Sequence, residues 1–363
     1  MRVALAVIFL VDEAGGAGTY ARELIGGLSA AGVEVTAFVG STVPAEVLEI
    51  PGAEWVRLPV PGVSGRRHYW HELAGLGFAA RRRGVDLLHG LAGTVALVPP
   101  SLPRVVTLLD TLWLDQPETY PLRVRTASRV LFPLCARRAS QVMTISQDAK
   151  RRIVEVVGLD PAKVDVTPLG FRAPAAGGVG ELPVVLDERP LVLCVSGKRR
   201  YKNQAALVEA MVELAGVQLV LAGSGGPYED ELRALAERLG VDVRFVGWVG
   251  AGELEALYAR ADVFVLPSLQ EGFGLPVLEA MGRGVPVACS NTSSLPEVAG
   301  DAALLFDPRS PAQIAAAIRR LLEDRALAAR LREAGLARAA QFSWERTARL
   351  TIESYERALC TSV

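Results

Sequence analysis

Two acids separated by seven residues, Glu271 and Glu279, bracket the segment Glu271-Gly272-Phe273-Gly274-Leu275-Pro276-Val277-Leu278-Glu279. Pro276 suits the first turn of a helix, where its missing N–H costs nothing. Gly272 and Gly274 let the backbone approach a ligand or adopt positive φ. Backbone amides at such a helix start favour an anion such as diphosphate. Glu271 then lies in the loop before the helix and Glu279 in its second turn, each able to accept hydroxyl hydrogen bonds from a sugar or a ribose. The plainer alternative is a helix entry flanked by two solvated acids.

A second group is Ser196-Gly197-Lys198-Arg199-Arg200-Tyr201-Lys202-Asn203, with four cations in five residues directly after an apolar run. Such a cluster repels itself unless it is solvated or meets an anion, and the carboxyl end of a parallel strand is where open α/β sheets bind ligands. A phosphate site and a solvated loop are the two readings. Glycine turns occupy equivalent places at Gly15-Gly16-Ala17-Gly18 and Gly223-Ser224-Gly225-Gly226. Neither closes as a phosphate-binding Gly-Lys-Ser/Thr loop, and Tyr20 and Ala21 stand where a dinucleotide fingerprint needs its third glycine. The three histidines are His68, His71 and His89. They have no metal-ligand spacing with a carboxylate, and His89, at a strand end, reads either as a ligand-facing or as a packed residue. No Gly-x-Ser-x-Gly nucleophile elbow is present.

The elements that must hold these residues alternate. Val3–Leu10, Val33–Val39, Asp86–His89, Val105–Leu109 and Val142–Ile145 read as strands, and Tyr20, Leu24 and Leu28 form one stripe of a helix after the first. Ser146 is placed to cap a helix from Gln147 to about Val157. A proline- and glycine-rich stretch, Pro168 to Pro190, reads as a linker. Beyond it the spacing predicts strands Leu191–Val195, Gln218–Ala222, Val243–Val246, Val263–Leu266 and Val285–Ala288. The helices expected between and after them are Asn203–Leu214, Tyr228–Leu239, Ala251–Ala259, Leu275–Met281, Ala312–Leu322 and Ala326–Ala340. A last helix runs from about Trp344 to Leu359. This is an α/β chain with two parallel sheets, giving two nucleotide-fold-like halves that face a cleft.

Bulk composition narrows the function. The 363 residues, half of them hydrophobic, suffice for two or three domains. A net charge of −1 gives no case for wholesale nucleic-acid binding. Four scattered cysteines exclude a disulfide-dense fold and a Cys₄ zinc site, and fit a reducing compartment. The apolar start, Met1 to Leu10, is too short to span a bilayer and lacks a cleavage pattern, so a cytoplasmic, soluble protein is expected. Residues 121–152 carry eight basic side chains and one acid, Asp148. That bias fits a solvated helical face, an anionic acceptor or a membrane surface.

Taken together, Glu271 to Glu279, Gly15-Gly16, Gly197 to Asn203, Gly223-Ser224-Gly225, Phe245-Val246-Gly247 and Phe342-Ser343-Trp344 resemble the retaining glycosyltransferases of family 4 over nearly the whole chain. The resemblance implies a GT-B fold, two Rossmann-like domains facing a central cleft. It assigns 1–175 to an acceptor-binding domain and 176–342 to a nucleotide-sugar domain, with 343–363 crossing back to the first. It implies that Lys202 contacts the donor diphosphate, and that Lys198, or Arg199 by a register shift, replaces the family's arginine. Glu279 takes the ribose and Glu271 lies beside the transferred sugar. Phe273, Gly274 and Leu275 offer amides to sugar and phosphate, with Gly15, Gly16, Gly223 and Val246 at the donor site and Phe245–Trp248 near the base.

Leu109 stands where many relatives have histidine, while Asp110 is kept, which points to a 6-deoxy or pentose donor. No cofactor beyond the nucleotide-diphosphate sugar and no metal are implied. The expected partners are that donor and a small-molecule, glycan or lipid-linked acceptor, with peripheral membrane contact through 121–152. Front-face transfer, with Lys198 or Arg199 and Lys202 meeting the leaving charge, is the expected route. A nucleotide-sugar epimerase of the same fold and a non-catalytic sugar-nucleotide binder are the alternatives.

Overall fold

The aliphatic runs form strands that pair in parallel into two sheets. The structure, a computed structural model, describes residues 1–9, 15–44, 48, 50, 52–60, 70–99, 101–119, 121–171 and 179–360. The chain divides into two units: residues 1–170 with 343–363, and residues 171–342. Leu10, the acidic start of the first glycine turn (Asp12-Glu13-Ala14), His68 and the middle of the expected linker lie outside the described residues.

The first unit holds β1 (Arg2–Ala6), β2 (Glu34–Val39), β3 (Ala53–Arg57), β4 (Leu87–Gly90), β5 (Arg104–Thr107), β6 (Gln141–Thr144) and β7 (Val164–Val166), in the order β3-β2-β1-β4-β5-β6-β7. Its helices are α1 (Gly16–Ala30), α2 (Leu76–Arg82), α3 (Leu112–Asp115), α4 (Leu122–Arg138) and α5 (Gln147–Val157). Ser146 caps α5 as expected, its Oγ accepting the Ala149 N–H at 3.0 Å. The first strand ends at Ala6 rather than Leu10, because the chain turns at Ile8.

The second unit holds β8 (Leu191–Val195), β9 (Gln218–Ala222), β10 (Val243–Val246), β11 (Val263–Leu266), β12 (Val287–Ser290) and β13 (Ala303–Phe306), in the order β10-β9-β8-β11-β12-β13. Its helices are α6 (Gln204–Ala210), α7 (Pro227–Leu239), α8 (Ala251–Arg260), α9 (Leu275–Gly282), α10 (Leu295–Ala299), α11 (Pro311–Glu323) and α12 (Arg325–Ala339). Four of its strands match the sequence expectation residue for residue. Three strands that the sequence does not announce, β3, β7 and β13, are all sheet edges. An edge strand is half solvated, so it lacks the continuous apolar run that marks a strand buried on both faces.

The last helix, α13 (Trp344–Cys360), belongs to the first unit. It crosses α1 so closely that a Cβ on Gly27 would lie 3.0 Å from Ala348 Cβ. The chain leaves and re-enters this unit at one place: Thr347 Oγ1 donates to Pro168 O at 2.7 Å, and Gly170 fits only as glycine against the Trp344 backbone. Behind this seam His89 is fully buried between Tyr355 OH and Thr107 Oγ1, each at 2.7 Å, with Tyr20 OH 3.1 Å from the same threonine. His89 is therefore the packed residue of the two readings.

Burial pushes the His89 pKa down to about 3, so the fold holds the neutral imidazole. Below pH ~6.5 the unfolded chain takes up a proton that the folded chain refuses until about pH 3. Stability should accordingly fall as pH drops through that window. His89→Gln should be less stable at neutral pH yet show a shallower acid-side loss. Denaturant titrations of both proteins between pH 7 and 4 check this, and parallel slopes would remove His89 from acid sensitivity.

Candidate functional site

In the second unit the strand order reverses between β8 and β11, and such a switch point opens a crevice at the strands' carboxyl ends. The loops leaving these two strands, 196–203 and 267–274, are the two that the sequence singles out. Pairing of Leu193 with Phe264 sets them side by side. Lys202 Nζ reaches Glu271 Oε1 and Oε2 at 2.7 and 2.8 Å, and both side chains are largely shielded. Burial works against the Lys202 ammonium, but the Glu271 carboxylate outweighs it and the pKa is raised. The lysine and glutamate expected at diphosphate and sugar thus pair with each other.

Glu271 is held from three directions. Ser268 Oγ donates to Oε1 at 2.7 Å. Ser293 Oγ accepts the Glu271 N–H at 2.9 Å and donates to its carbonyl at 2.5 Å, with Ser293 itself at φ 60°. Ser294 Oγ donates to the carbonyls of Glu271 and Phe273 at 3.0 and 2.8 Å. These serines follow β12, the strand beside β11, so sheet order joins what the sequence separates by more than twenty residues. Sequence reasoning missed them; a serine pair is too common a signal, and only strand adjacency gives it meaning. Asn203 is another omission. In left-handed conformation at φ 57°, its Nδ2 donates to Pro267 O and Pro308 O at 3.0 and 2.7 Å, tying the two loops together.

Gly274 begins α9 at φ 110°, a conformation that favours glycine, and a Cβ there would push against Leu295 Cδ2 at 2.6 Å. Leu275 and Pro276 form the first helical positions, and Phe273 is buried with its ring 5.8 Å from that of Phe342. Glu279, on α9, accepts from Tyr258 OH at 3.1 Å. Burial raises its pKa, with Arg283 and Tyr258 pulling the other way. Arg283 stacks 4.8 Å from the Tyr258 ring and pairs with Glu255 at 2.8 Å.

The cationic loop divides its labour. Lys198, expected to meet a ligand phosphate, points inward. Its ammonium is fully enclosed and donates to Gly223 O and Val246 O, both at 2.6 Å, with Glu229 at 3.8 Å. Burial lowers its pKa. Arg200 pairs with Glu231 at 2.6 Å. Arg199 is exposed and donates to the Lys198 carbonyl at 3.2 Å, with no carboxylate partner among the described residues. Gly223 and Val246 are accordingly joined to the site through Lys198. Gly223, at φ 128°, would place a Cβ 2.4 Å from Ser196 O, which ties this glycine to loop packing.

Gly15, Gly16 and Asp110 belong to the other unit. Gly15 precedes α1 at φ 93°, and a Cβ on either glycine meets nothing within 4 Å. Asp110 Oδ1 accepts the Leu112 N–H at 2.9 Å, and its carbonyl accepts from Trp113 Nε1 at 3.3 Å, so it organises the start of α3. Among the described residues no three His, Cys, Asp or Glu side chains gather as a metal site, and no helix is long and apolar enough to cross a membrane.

Comparison with known proteins follows the same division. The pattern of the glycosyl transferases group 1 matches residues 184–338, and that of the glycosyl transferase 4-like domain matches residues 15–170. The chain is 35% identical over 278 residues to O-antigen chain mannosyltransferase B of Escherichia coli, covering 71% of this chain and 72% of that protein. It is 30% identical over 321 residues to D-inositol 3-phosphate glycosyltransferase of a Nocardioides species, covering 80% and 66%. Among solved structures, sucrose-phosphate synthase from Thermosynechococcus elongatus superposes with a TM-score of 0.78 at 24% identity, covering 98% of both chains. Anabaena HepE in complex with UDP and glucose gives 0.74 at 21% identity, covering 98% and 99%. The two sheets flanked by helices accord with a GT-B fold of two Rossmann-like domains.

Proposed function

The chain belongs to the group 1, family 4-like glycosyltransferases and transfers a sugar from a nucleotide sugar to an acceptor; on that premise we propose that it does so with retention of configuration, using the Lys202–Glu271 pair. The carrying observation is that this pair sits at the switch point of the second sheet, beside the start of α9. In this reading the donor diphosphate takes Lys202 and Arg199, its sugar lies by Glu271, and Glu279 accepts from the ribose hydroxyls. The bond from the anomeric carbon to the phosphate oxygen breaks while the acceptor oxygen attacks from the same face. The acceptor proton passes to the departing phosphate oxygen. Lys202, Arg199 and the α9 amides meet the charge that develops there. Glu271 has a binding rather than a covalent role in this reading, since its carboxylate is engaged by Lys202 and Ser268.

The first unit is the acceptor-binding half in this proposal, and Gly15-Gly16 and Asp110 are the residues it offers to the donor sugar. Relatedness to a mannosyltransferase makes mannose the first donor sugar to test, against the 6-deoxy or pentose donor suggested by Leu109. The outer face of α4, where Leu122, Val130 and Leu134 are exposed with Arg123 and Arg129, supports peripheral contact with an anionic surface when the acceptor is lipid-linked.

Thermal unfolding with UDP-, GDP-, ADP- and dTDP-sugars tests the donor reading, since only a ligand of the folded state raises the midpoint. One nucleotide series should stabilise the protein, and none doing so at millimolar concentration would sink the proposal. Glu279→Ala should weaken the stabilising nucleotide and its sugar derivative alike, by about 1–3 kcal/mol. Because the Glu279 pKa is raised, wild-type affinity should also fall on acidification above the ordinary carboxylate range. Unchanged calorimetric affinity for the free nucleoside diphosphate in the variant refutes the ribose assignment.

A further inference from the structure

At the amino ends of β5, β6 and β7, the rim of the first sheet opposite Asp110 and Gly15, lies a cavity of about 650 Å³. Its lining includes Arg104, Arg138 and Lys163, with Ser101, Ser140 and Gln141 as further polar groups and Asp160 as the one acid. Asp160 is committed to its own turn, accepting the Ala162 N–H at 2.8 Å.

Among the described residues, these cations have no ion-pair partner. Arg104 is only 8% exposed, yet the contact of its guanidinium among the described residues is a hydrogen bond from Nη2 to Pro99 O at 2.5 Å. Buried charges are ordinarily paired, and the comparably shielded Arg283 of this chain meets the Glu255 carboxylate. Burial and the neighbouring Arg138 both disfavour the charge on Arg104. Arg138 has no ion pair among the described residues, and Lys163 Nζ uses one N–H on Arg137 O at 2.8 Å. Two guanidinium groups and an ammonium, with the Ser101 and Ser140 hydroxyls beside them and Gln141 Nε2 held by Asp165 at 2.8 Å, suit a group that accepts several charge-assisted hydrogen bonds at once.

We propose that this cavity binds a phosphate monoester or diphosphate group, at a site separate from the donor site and independent of the donor assignment above. The group is carried by a soluble phosphorylated molecule or by a lipid head. Inorganic pyrophosphate is the soluble probe, and vesicles of phosphatidylcholine with phosphatidic acid, or with phosphatidylglycerol at matched surface charge, probe the lipid source.

Because pyrophosphate should also enter the donor site, the titration is run on the full-length Lys202→Ala protein as well as on the wild type. Binding should persist in Lys202→Ala and weaken about tenfold on adding Arg138→Gln, an exposed residue whose loss leaves the fold intact. Arg104→Lys, which keeps the charge without the fork, should weaken it similarly, and Arg129→Gln on the same helix should not. Preference for phosphatidic acid over phosphatidylglycerol vesicles, lost in Arg138→Gln, would assign the site to a lipid head. Pyrophosphate binding without that preference assigns it to a soluble molecule. Absence of both, or pyrophosphate affinity in the Lys202→Ala background indifferent to Arg138→Gln and Arg104→Lys, overturns the proposal.

Discussion

Lys202→Ala is expected to lower kcat by about 10²-fold or more while leaving the fold intact, a loss comparable to removing an oxyanion-hole donor. In the resting site the ammonium is held by the Glu271 carboxylate at 2.7 Å, so an arriving diphosphate competes with that carboxylate for the same cation. The phosphate carries more charge after the sugar has left than while it is esterified. The contact therefore strengthens along the reaction, and an interaction that strengthens in the transition state appears in kcat rather than in KM alone. Lys202→Arg should recover activity only in part, because a planar fork does not reproduce a point contact in a shielded site. The measurement is steady-state kinetics with whichever nucleotide sugar stabilises the wild type, with circular dichroism to confirm folding. A kcat within about threefold of wild type at saturating donor would mean that the lysine makes no special contact in the transition state.

The loops that carry this chemistry were legible because buried parallel strands write themselves as short apolar runs and because proline and glycine mark a helix start. Leu191–Val195 and Val263–Leu266 were read to the residue, and Pro276 placed α9 correctly. Less was legible where meaning depends on the sheet order. Ser293 and Ser294 are ordinary in sequence and become the brace of Glu271 only because β12 lies beside β11. The charge of 121–152 fits a solvated helical face but gives α4 no bounds, since Pro133 lies inside it and it buries only Ser128, Cys135 and Ala136. His89 shows the opposite limit. A strand-end histidine invites a catalytic reading, and its burial by Tyr355 arises from a helix 266 residues away in the chain.

The cationic loop shows most sharply what composition hides, since Lys198 and Lys202 look equivalent in sequence and are opposites in the structure. Lys198→Ala is expected to destabilise the second unit by about 1–3 kcal/mol, because it takes the ammonium from the Gly223 carbonyl and leaves Val246 O with the Gly223 N–H at 3.2 Å. Gly223 follows the last residue of β9 and Val246 ends β10, and the Lys198 ammonium at 2.6 Å from each carbonyl joins both strand ends to the loop after β8. Glu229, 3.8 Å away, would lose its enclosed partner as well but keeps Arg233 at 2.6 Å. Lys198→Met should fare little better than alanine. It restores packing along the stem but supplies no N–H, so the cost tracks the donor and not the volume. Lys198→Arg should be intermediate, with donors retained and a larger head forced into a space closed around an ammonium. Nucleotide affinity should fall only as far as the loop loosens. The two alanine variants are therefore expected to separate cleanly: Lys202→Ala folded and slow, Lys198→Ala unstable with turnover per folded molecule closer to wild type. Urea denaturation followed by kinetics corrected for the folded fraction distinguishes them. If Lys198→Ala unfolds at the wild-type midpoint and loses kcat as severely as Lys202→Ala, then Lys198 turns outward in the working enzyme and serves the leaving phosphate itself.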